Sequence, residues 1–308
     1  MTYKAKSNAP RVDAHQQITD KIIEQLEKVD ASDWQCPWHR ASGHLGAPVN
    51  GVTNATYRGI NWLLLGLATE ETNCSKFATY KQWQSKGRQV AKGSTGYPVT
   101  FFKKLEVPVE GAADGEADTK HIPMIRLSTV FAESQLVDYT PPADMPERPN
   151  LIQVSAAVTE AVANLGTVIR TDNTNSAFYR SADDFINMPP ASAFKESKTS
   201  TATENYYSTL LHELTHWTGH GTRCDRPLRN AFGSPAYAKE ELVAELGAAF
   251  LCQQFGISAE LREDHAQYLK SWLECLRGDK KFIFNAASLA QKAVDFINTN
   301  SVAQAVAA

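Results

Sequence analysis

The chain has 308 residues, 43% of them hydrophobic, and a formal net charge of -3. That length suggests two domains, and the composition allows a real core. No apolar run is long enough to span a bilayer, the polar start from Met1 to Arg11 lacks the apolar stretch of a signal peptide, and the five cysteines are scattered with no Cys-x-x-Cys pair, so a reducing cytoplasm with free thiols and no membrane is the expectation.

Residues 12–28 predict an amphipathic helix, with Ile18, Ile22 and Leu26 one turn apart. A polar, turn-rich stretch follows, holding Trp34, Pro37, Trp38, Pro48 and Asn50. The segment Asn54 to Asn61 leads into an apolar helix expected over 62–69. A further helix is expected over 77–86, closed at Gly87. Residues 89–96 read as a strand and turn. Residues 97–105 predict a strand paired with 122–131, across an acidic loop, 106–121, expected to be mobile. Four of the 14 prolines fall within 138–149, which predicts an extended linker over 138–150. A helix is expected over 152–165, and paired strands at 177–179 and 184–186. Helices follow from near Ala202, over 239–251, 265–276 and 286–297, and the tail after Asn298 should fray. The expected fold class is α+β with two domains: a mixed α/β unit over 1–137 and a second unit over 151–308.

The small net charge conceals an asymmetry. Residues 1–105 carry 14 Lys/Arg against 8 Asp/Glu, and residues 106–308 carry 17 against 26. Between Trp34 and Lys104 the balance is 9 basic to 2 acidic, in a window holding 10 of the 29 aromatics. Cations for phosphates and rings for bases suit single-stranded nucleic acid. The candidate contacts are Trp38, Tyr57, Arg58, Asn61, Lys81, Trp83, Arg88 and Lys92. For each tryptophan, core packing is an even alternative; for each lysine it is a solvated face, and for Asn61 a buried turn contact.

The most informative residues are His212-Glu213-Leu214-Thr215-His216. On a helix the two histidines differ by about 40° in direction and project from one face, one turn apart, where they can share a metal ion. Glu213 is offset by one residue, placed to take a proton from a metal-activated water without being a ligand. Tyr207, Leu210, Leu211, Leu214 and Trp217 form an apolar stripe around the motif, so the helix should be buried. A metal site of this kind needs a third protein ligand. Glu241 is the favoured third ligand, with Glu245, one turn on, as the carboxylate that accepts an N–H from a ligating histidine; the exchanged assignment remains open. Glu240 fits a solvated helix charge, and His220 and Asp225, in the loop after the motif, are weaker ligand candidates. Two imidazoles and a carboxylate suit Zn²⁺ and also accommodate Mn²⁺ or Co²⁺.

Together these segments resemble the ArdC-type antirestriction proteins of conjugative plasmids. The resemblance rests on Trp34-Gln35-Cys36-Pro37-Trp38, Pro48-Val49-Asn50, Tyr57-Arg58-Gly59-Ile60-Asn61 and Tyr80 to Gly93 in the first half. In the second half it rests on Leu211 to His220, Glu240 to Glu245 and Tyr268 to Trp272. It implies a single-stranded DNA-binding domain over 1–137, the linker, and a zincin-like metallopeptidase domain over 151–308. It also implies protection of transferred plasmid DNA from host restriction endonucleases. A protein substrate or a host restriction factor is a further expected partner. Glu241-x-x-Ala244-Glu245 is similar to a pattern of related peptidases in which the first glutamate binds metal, with Glu where they have Asp or Asn at the second acidic position. Two competing readings are a cytoplasmic metallopeptidase without a DNA role and a DNA-binding protein whose metal site is non-catalytic.

Overall fold

A computed structural model describes residues 13–28, 45–108, 119–142, 151–172, 176–197, 200–228, 230–231, 233–257 and 266–303. The first half begins with α1 (Ala14–Glu27), whose N-terminal N–H groups are capped by the Asp13 side chain. It continues with β1 (Val49–Asn50), α2 (Ile60–Thr72), β2 (Lys76–Thr79) and α3 (Tyr80–Ser85). A long hairpin follows, β3 (Tyr97–Pro108) and β4 (Thr119–Ala132). The strands form a sheet of order β1-β2-β4-β3, with β1 and β2 parallel and the other pairs antiparallel. α2 covers this sheet, and Leu65 and Ala68 pack with Phe77, Val99 and Val130.

Residues 77–86 were expected to be one helix, and the structure divides them. Phe77 and Ala78, both 0% exposed, are strand residues paired with β4. Thr79 then caps α3 through a capping box with Gln82, so the helix starts three residues later than the apolar pattern suggests. The strand expected over 89–96 is reduced to one bridge between Val90 and Leu136. Residues 109–118 of the acidic loop and 143–150 of the Pro-rich stretch lie outside the described residues.

The second half contains α4 (Leu151–Asn164), β5 (Val168–Arg170), β6 (Phe178–Arg180) and β7 (Phe185–Asn187), then α5 (Ala202–Trp217), α6 (Pro235–Phe255), α7 (Ala266–Gly278) and α8 (Phe282–Ala303). The three short strands form a sheet of order β5-β7-β6, which leaves β6 at an edge. The 177–186 hairpin is present, with β5 added as a parallel strand that the sequence reading did not include. The tail expected to fray after Asn298 instead continues as helix to Ala303: Asn298 exchanges amide hydrogen bonds with Gln254 and Ser301 is buried.

One buried cluster runs through both halves. Ile18, Ile22 and Leu26 of α1 and Ile60 to Leu64 of α2 join the apolar faces of α4 to α8. Polar contacts follow the same seam. Thr19 donates to the Lys280 carbonyl (2.9 Å), and Trp62 Nε1 donates to Gln253 of α6 (2.8 Å). No helix among the described residues is long and apolar enough to cross a membrane.

Candidate metal centre and nucleic-acid contacts

α5 starts at a capping box between Thr201 and Glu204, and α6 starts at Ser234, whose hydroxyl accepts from Tyr237 N–H, with Pro235 in the first turn. Beside Thr215 of α5, α6 carries Gly247, where an added Cβ would lie 2.5 Å from the threonine methyl. The missing side chain lets the two backbones approach. That approach brings the α6 carboxylates to the α5 histidines.

His212 Nε2 lies 3.7 Å and His216 Nε2 lies 3.6 Å from the Glu241 carboxylate. The two rings are 4.8 Å apart and nearly perpendicular. One ligand atom from each of His212, His216 and Glu241 falls within a 4.8 Å set. Each imidazole turns its other nitrogen to a different carboxylate. His212 Nδ1 faces Glu245 Oε2 at 3.5 Å, and His216 Nδ1 donates to Glu240 Oε1 at 3.1 Å. A carboxylate at the distal nitrogen keeps the proton on Nδ1, so that a cation displacing any proton from Nε2 would meet its electron pair.

Glu240 is thus not a solvated helix charge: it is 8% exposed. Besides the His216 bond, it accepts from Arg226, 5% exposed, at 3.0 and 2.9 Å. Arg226 in turn donates to Thr218 Oγ1 and the Thr215 carbonyl. Burial acts to raise the Glu240 pKa, but the bonds from His216 and Arg226 outweigh it and hold the carboxyl below its ordinary value. Burial also disfavours a charged His212, yet the carboxylates of Glu241 and Glu245, with Glu213 nearby, outweigh it and push its pKa up to about 10. The pocket therefore has a surplus of negative charge and attracts a cation. Two aligned Nε2 atoms and a carboxylate are a donor set that fits a divalent metal.

Glu213, 3% exposed, lines the same cavity of about 270 Å³. Across it stand Tyr237 and Tyr268, whose hydroxyls are 3.1 Å apart. Burial, the Tyr268 hydroxyl and the charge of Glu241 all raise the Tyr237 pKa, so it stays a neutral donor. The edge strand β6 contributes Phe178 and Tyr179 to the cavity wall. Arg223 ties it there: the guanidinium stacks 3.8 Å over Trp217, the last residue of α5, and donates to Asp184 and to the Tyr179 hydroxyl. Sequence reasoning missed Glu240, Arg226, Tyr237 and Arg223. One signal was available for Glu240. The apolar residues of α6 are spread around the helix and not gathered on one stripe, and every residue from Leu242 to Gln253 is buried, so little of the helix is left to face solvent.

The candidate nucleic-acid contacts do not converge in the same way. Trp83 is 1% exposed, its indole N–H donates to the Phe131 carbonyl, and its ring rests on Gly51, so it is a core residue and presents no face to a base. The Tyr57 ring is half-buried, and its hydroxyl donates to the Phe77 carbonyl. Arg58 forms a bidentate ion pair with Asp295 of α8. Asn61 accepts from Thr100 N–H (2.7 Å) and donates to Thr100 O (2.8 Å), so its amide acts as a short neighbouring strand beside β3. Arg88 is held by Glu133 and Asp138. These five residues are structural ties. Lys81 and Lys92 are exposed, with no ion pair among the described residues, and Trp38 lies outside them.

Comparison with known proteins agrees with this two-part arrangement. Residues 12–131 match a family model described as the N-terminal domain of anti-restriction factor ArdC, and residues 156–289 match a zincin-like metallopeptidase family. The chain is 38% identical to the uncharacterized protein y4eC of Sinorhizobium fredii, covering 93% of this chain and 92% of that protein. It is 35% and 34% identical to two Escherichia coli proteins named DNA primase TraC, over 92% and 94% of this chain but only 27% and 20% of their lengths. Among solved structures it is similar to antirestriction protein ArdC from plasmid R388. The metal-free form gives a TM-score of 0.76 at 33% identity, covering 95% of this chain and 99% of that one. The Mn(II)-bound form gives 0.73, covering 94% and 98%. With a relative of known type matched along almost its whole length, the chain belongs to the ArdC family of antirestriction proteins.

Proposed function

We propose that this protein binds single-stranded DNA and carries a metallopeptidase site, and that it protects incoming plasmid DNA from host restriction endonucleases in the cytoplasm. The observation that carries the peptidase part is the convergence of His212 Nε2, His216 Nε2 and the Glu241 carboxylate on a cavity that Glu213 also lines. The Mn(II)-bound form of the R388 relative and the zincin-like family match support a divalent metal. The donor set favours Zn²⁺, with Mn²⁺ or Co²⁺ as alternatives. In this reading His212, His216 and Glu241 are the ligands, and Glu245 and Glu240 orient the two histidines. The basic, aromatic-rich first half and two relatives named as DNA primases support the nucleic-acid part.

When bound, the metal supplies Lewis acidity and makes water a ready nucleophile near neutral pH. Glu213 takes the proton and returns it to the leaving amine. Tyr237 and Tyr268 offer hydroxyl donors to the carbonyl under attack. β6 presents an open backbone edge beside the cavity, to which an extended peptide can add as a strand. A protein substrate or a host restriction factor fits this cleft.

Metal-loaded protein is expected to cleave fluorescent casein, and Glu213→Gln should lower the rate by at least roughly 100-fold with metal content unchanged. A loaded wild type that leaves casein intact, together with a Glu213→Gln variant that still protects transferred DNA, would make the metal site non-catalytic.

A further inference from the structure

The structural ties formed by Tyr57, Arg58, Asn61, Trp83 and Arg88 commit five of the eight candidate contacts to partners within the protein. Among the described residues two aromatic side chains are exposed: Tyr80 at 41% and Phe101 at 49%. The Tyr80 hydroxyl accepts from Gln89 Nε2 at 2.7 Å, which holds that ring against its own loop. Phe101 has no such anchor. It stands on β3, the edge strand of the four-stranded sheet, one pleat beyond Val99, which is 0% exposed in the small core beneath α2. Successive odd positions share a face, so Phe101 continues the buried row past the end of its cover.

Directly opposite Phe101 in the β3–β4 register is Arg126. Paired residues on antiparallel strands point to the same face with Cβ atoms roughly 5 Å apart. Arg126 is exposed and has no acidic partner among the described residues. A lone exposed phenylalanine is ordinary. An exposed ring beside an exposed guanidinium that is without an acidic partner among the described residues is the complement of a base next to a phosphate.

We infer that the face of the β3–β4 hairpin bearing Phe101 and Arg126 is a platform for a single nucleic-acid strand, with a base stacked on Phe101 and a backbone phosphate at Arg126. This rests on the single-strand reading above. A protein partner fits less well, because an acidic peptide would satisfy Arg126 and leave the ring without a planar counterpart. β4 extends well past its pairing with β2, which involves only Val130 to Ala132; there Ile125 and Leu127 pack on the main core from the opposite face, which leaves the face of Phe101 and Arg126 outward. Nothing in it depends on base identity, which predicts little sequence preference.

The test is fluorescence anisotropy of a labelled oligothymidylate with the full chain over a range of salt. Phe101→Leu keeps the apolar bulk and removes the π-face; it should weaken binding roughly tenfold, and Phe101→Trp should restore it. Arg126→Gln should lower the slope of log affinity against log salt by about 0.7, the share of one phosphate on a single strand. Melting temperature and metal content are the controls for folding. Wild type that binds while Phe101→Leu and Arg126→Gln match it would overturn the inference. A loss seen only in Tyr80→Ala and Lys81→Gln would move the platform to α3 and overturn it equally. Failure of the wild type itself to bind would instead remove the single-strand reading on which the inference stands.

Discussion

Glu240 and Glu241 are neighbours in sequence but serve different histidine nitrogens. Glu241 lies in front of both Nε2 atoms; Glu240 sits behind His216 and is held from its far side by Arg226. The motif spacing made His212, Glu213 and His216 legible in advance, because one helical turn fixes the relation of the two rings. The Glu240–Arg226 pair was not legible, since its partners come from a loop and another helix and no local pattern joins them. A buried pair of this kind is costly to break from one side. Glu240→Ala should leave Arg226 uncompensated and cost about 3–5 kcal/mol of stability. It should also weaken metal binding by about 10–100-fold through loss of the His216 anchor. Adding Arg226→Leu should recover much of the stability and none of the affinity. Denaturant melts and competition with a chelating dye read the two effects separately, and an unchanged affinity in Glu240→Ala would refute the anchoring role.

At the scale of elements, the centre depends on how closely α5 and α6 approach. Thr215 is 0% exposed, bonds the Leu211 carbonyl through its hydroxyl, and fills the space where a residue 247 side chain would stand. Gly247 is helical, so its role is close approach and not a special backbone angle. Gly247→Ala should force α6 outward against a fully packed threonine and cost about 1–3 kcal/mol. The displacement would carry Glu241 and Glu245 away from the histidines, so metal affinity should fall as well. Thr215→Ser in the same chain removes the nearest methyl and should restore part of both losses. Full affinity and stability in Gly247→Ala alone would show that the helices have slack there. The sequence pattern found these two helices and their apolar faces, because periodicity is local. It misread 77–79 as helix, since the buried Phe77 and Ala78 of a short strand directly before a capped helix look like one continuous run. Thr79 and Gln82 carried the boundary, and a capping box inside an apolar segment is outweighed when only periodicity is counted.

For the whole molecule, the Pro-rich stretch at 138–150 marks a change in composition without marking the edge of a core. α1 packs on α7 and α2 on α8, and Ile22, Trp62, Trp272 and Ile283 belong to a single buried cluster. Tyr57 to Trp62 supply much of the stitching. Arg58 reaches Asp295, Gly59 N–H donates to Gln291, and Trp62 reaches Gln253 on the same helix as the metal carboxylates. None of this was readable from the sequence, because periodicity identifies an apolar face and does not name the face it meets. The physical consequence concerns folding. Cutting the chain at the linker would expose the α1 and α2 surfaces on one fragment and the matching surfaces of α6 to α8 on the other. At about 25 cal/mol per Å² of apolar area, a few hundred Å² left open approaches the whole stability of a domain. Residues 151–308 expressed alone should therefore melt at a lower temperature and with less cooperativity than the full chain, and bind metal more weakly. Adding residues 1–137 in trans should raise both. Circular dichroism melts of the fragment with and without its partner, each with and without added Zn²⁺, measure this directly. A fragment that melts sharply at the full chain's temperature and binds Zn²⁺ with the same affinity would mean that the shared cluster adds contacts without holding the metal helices in place.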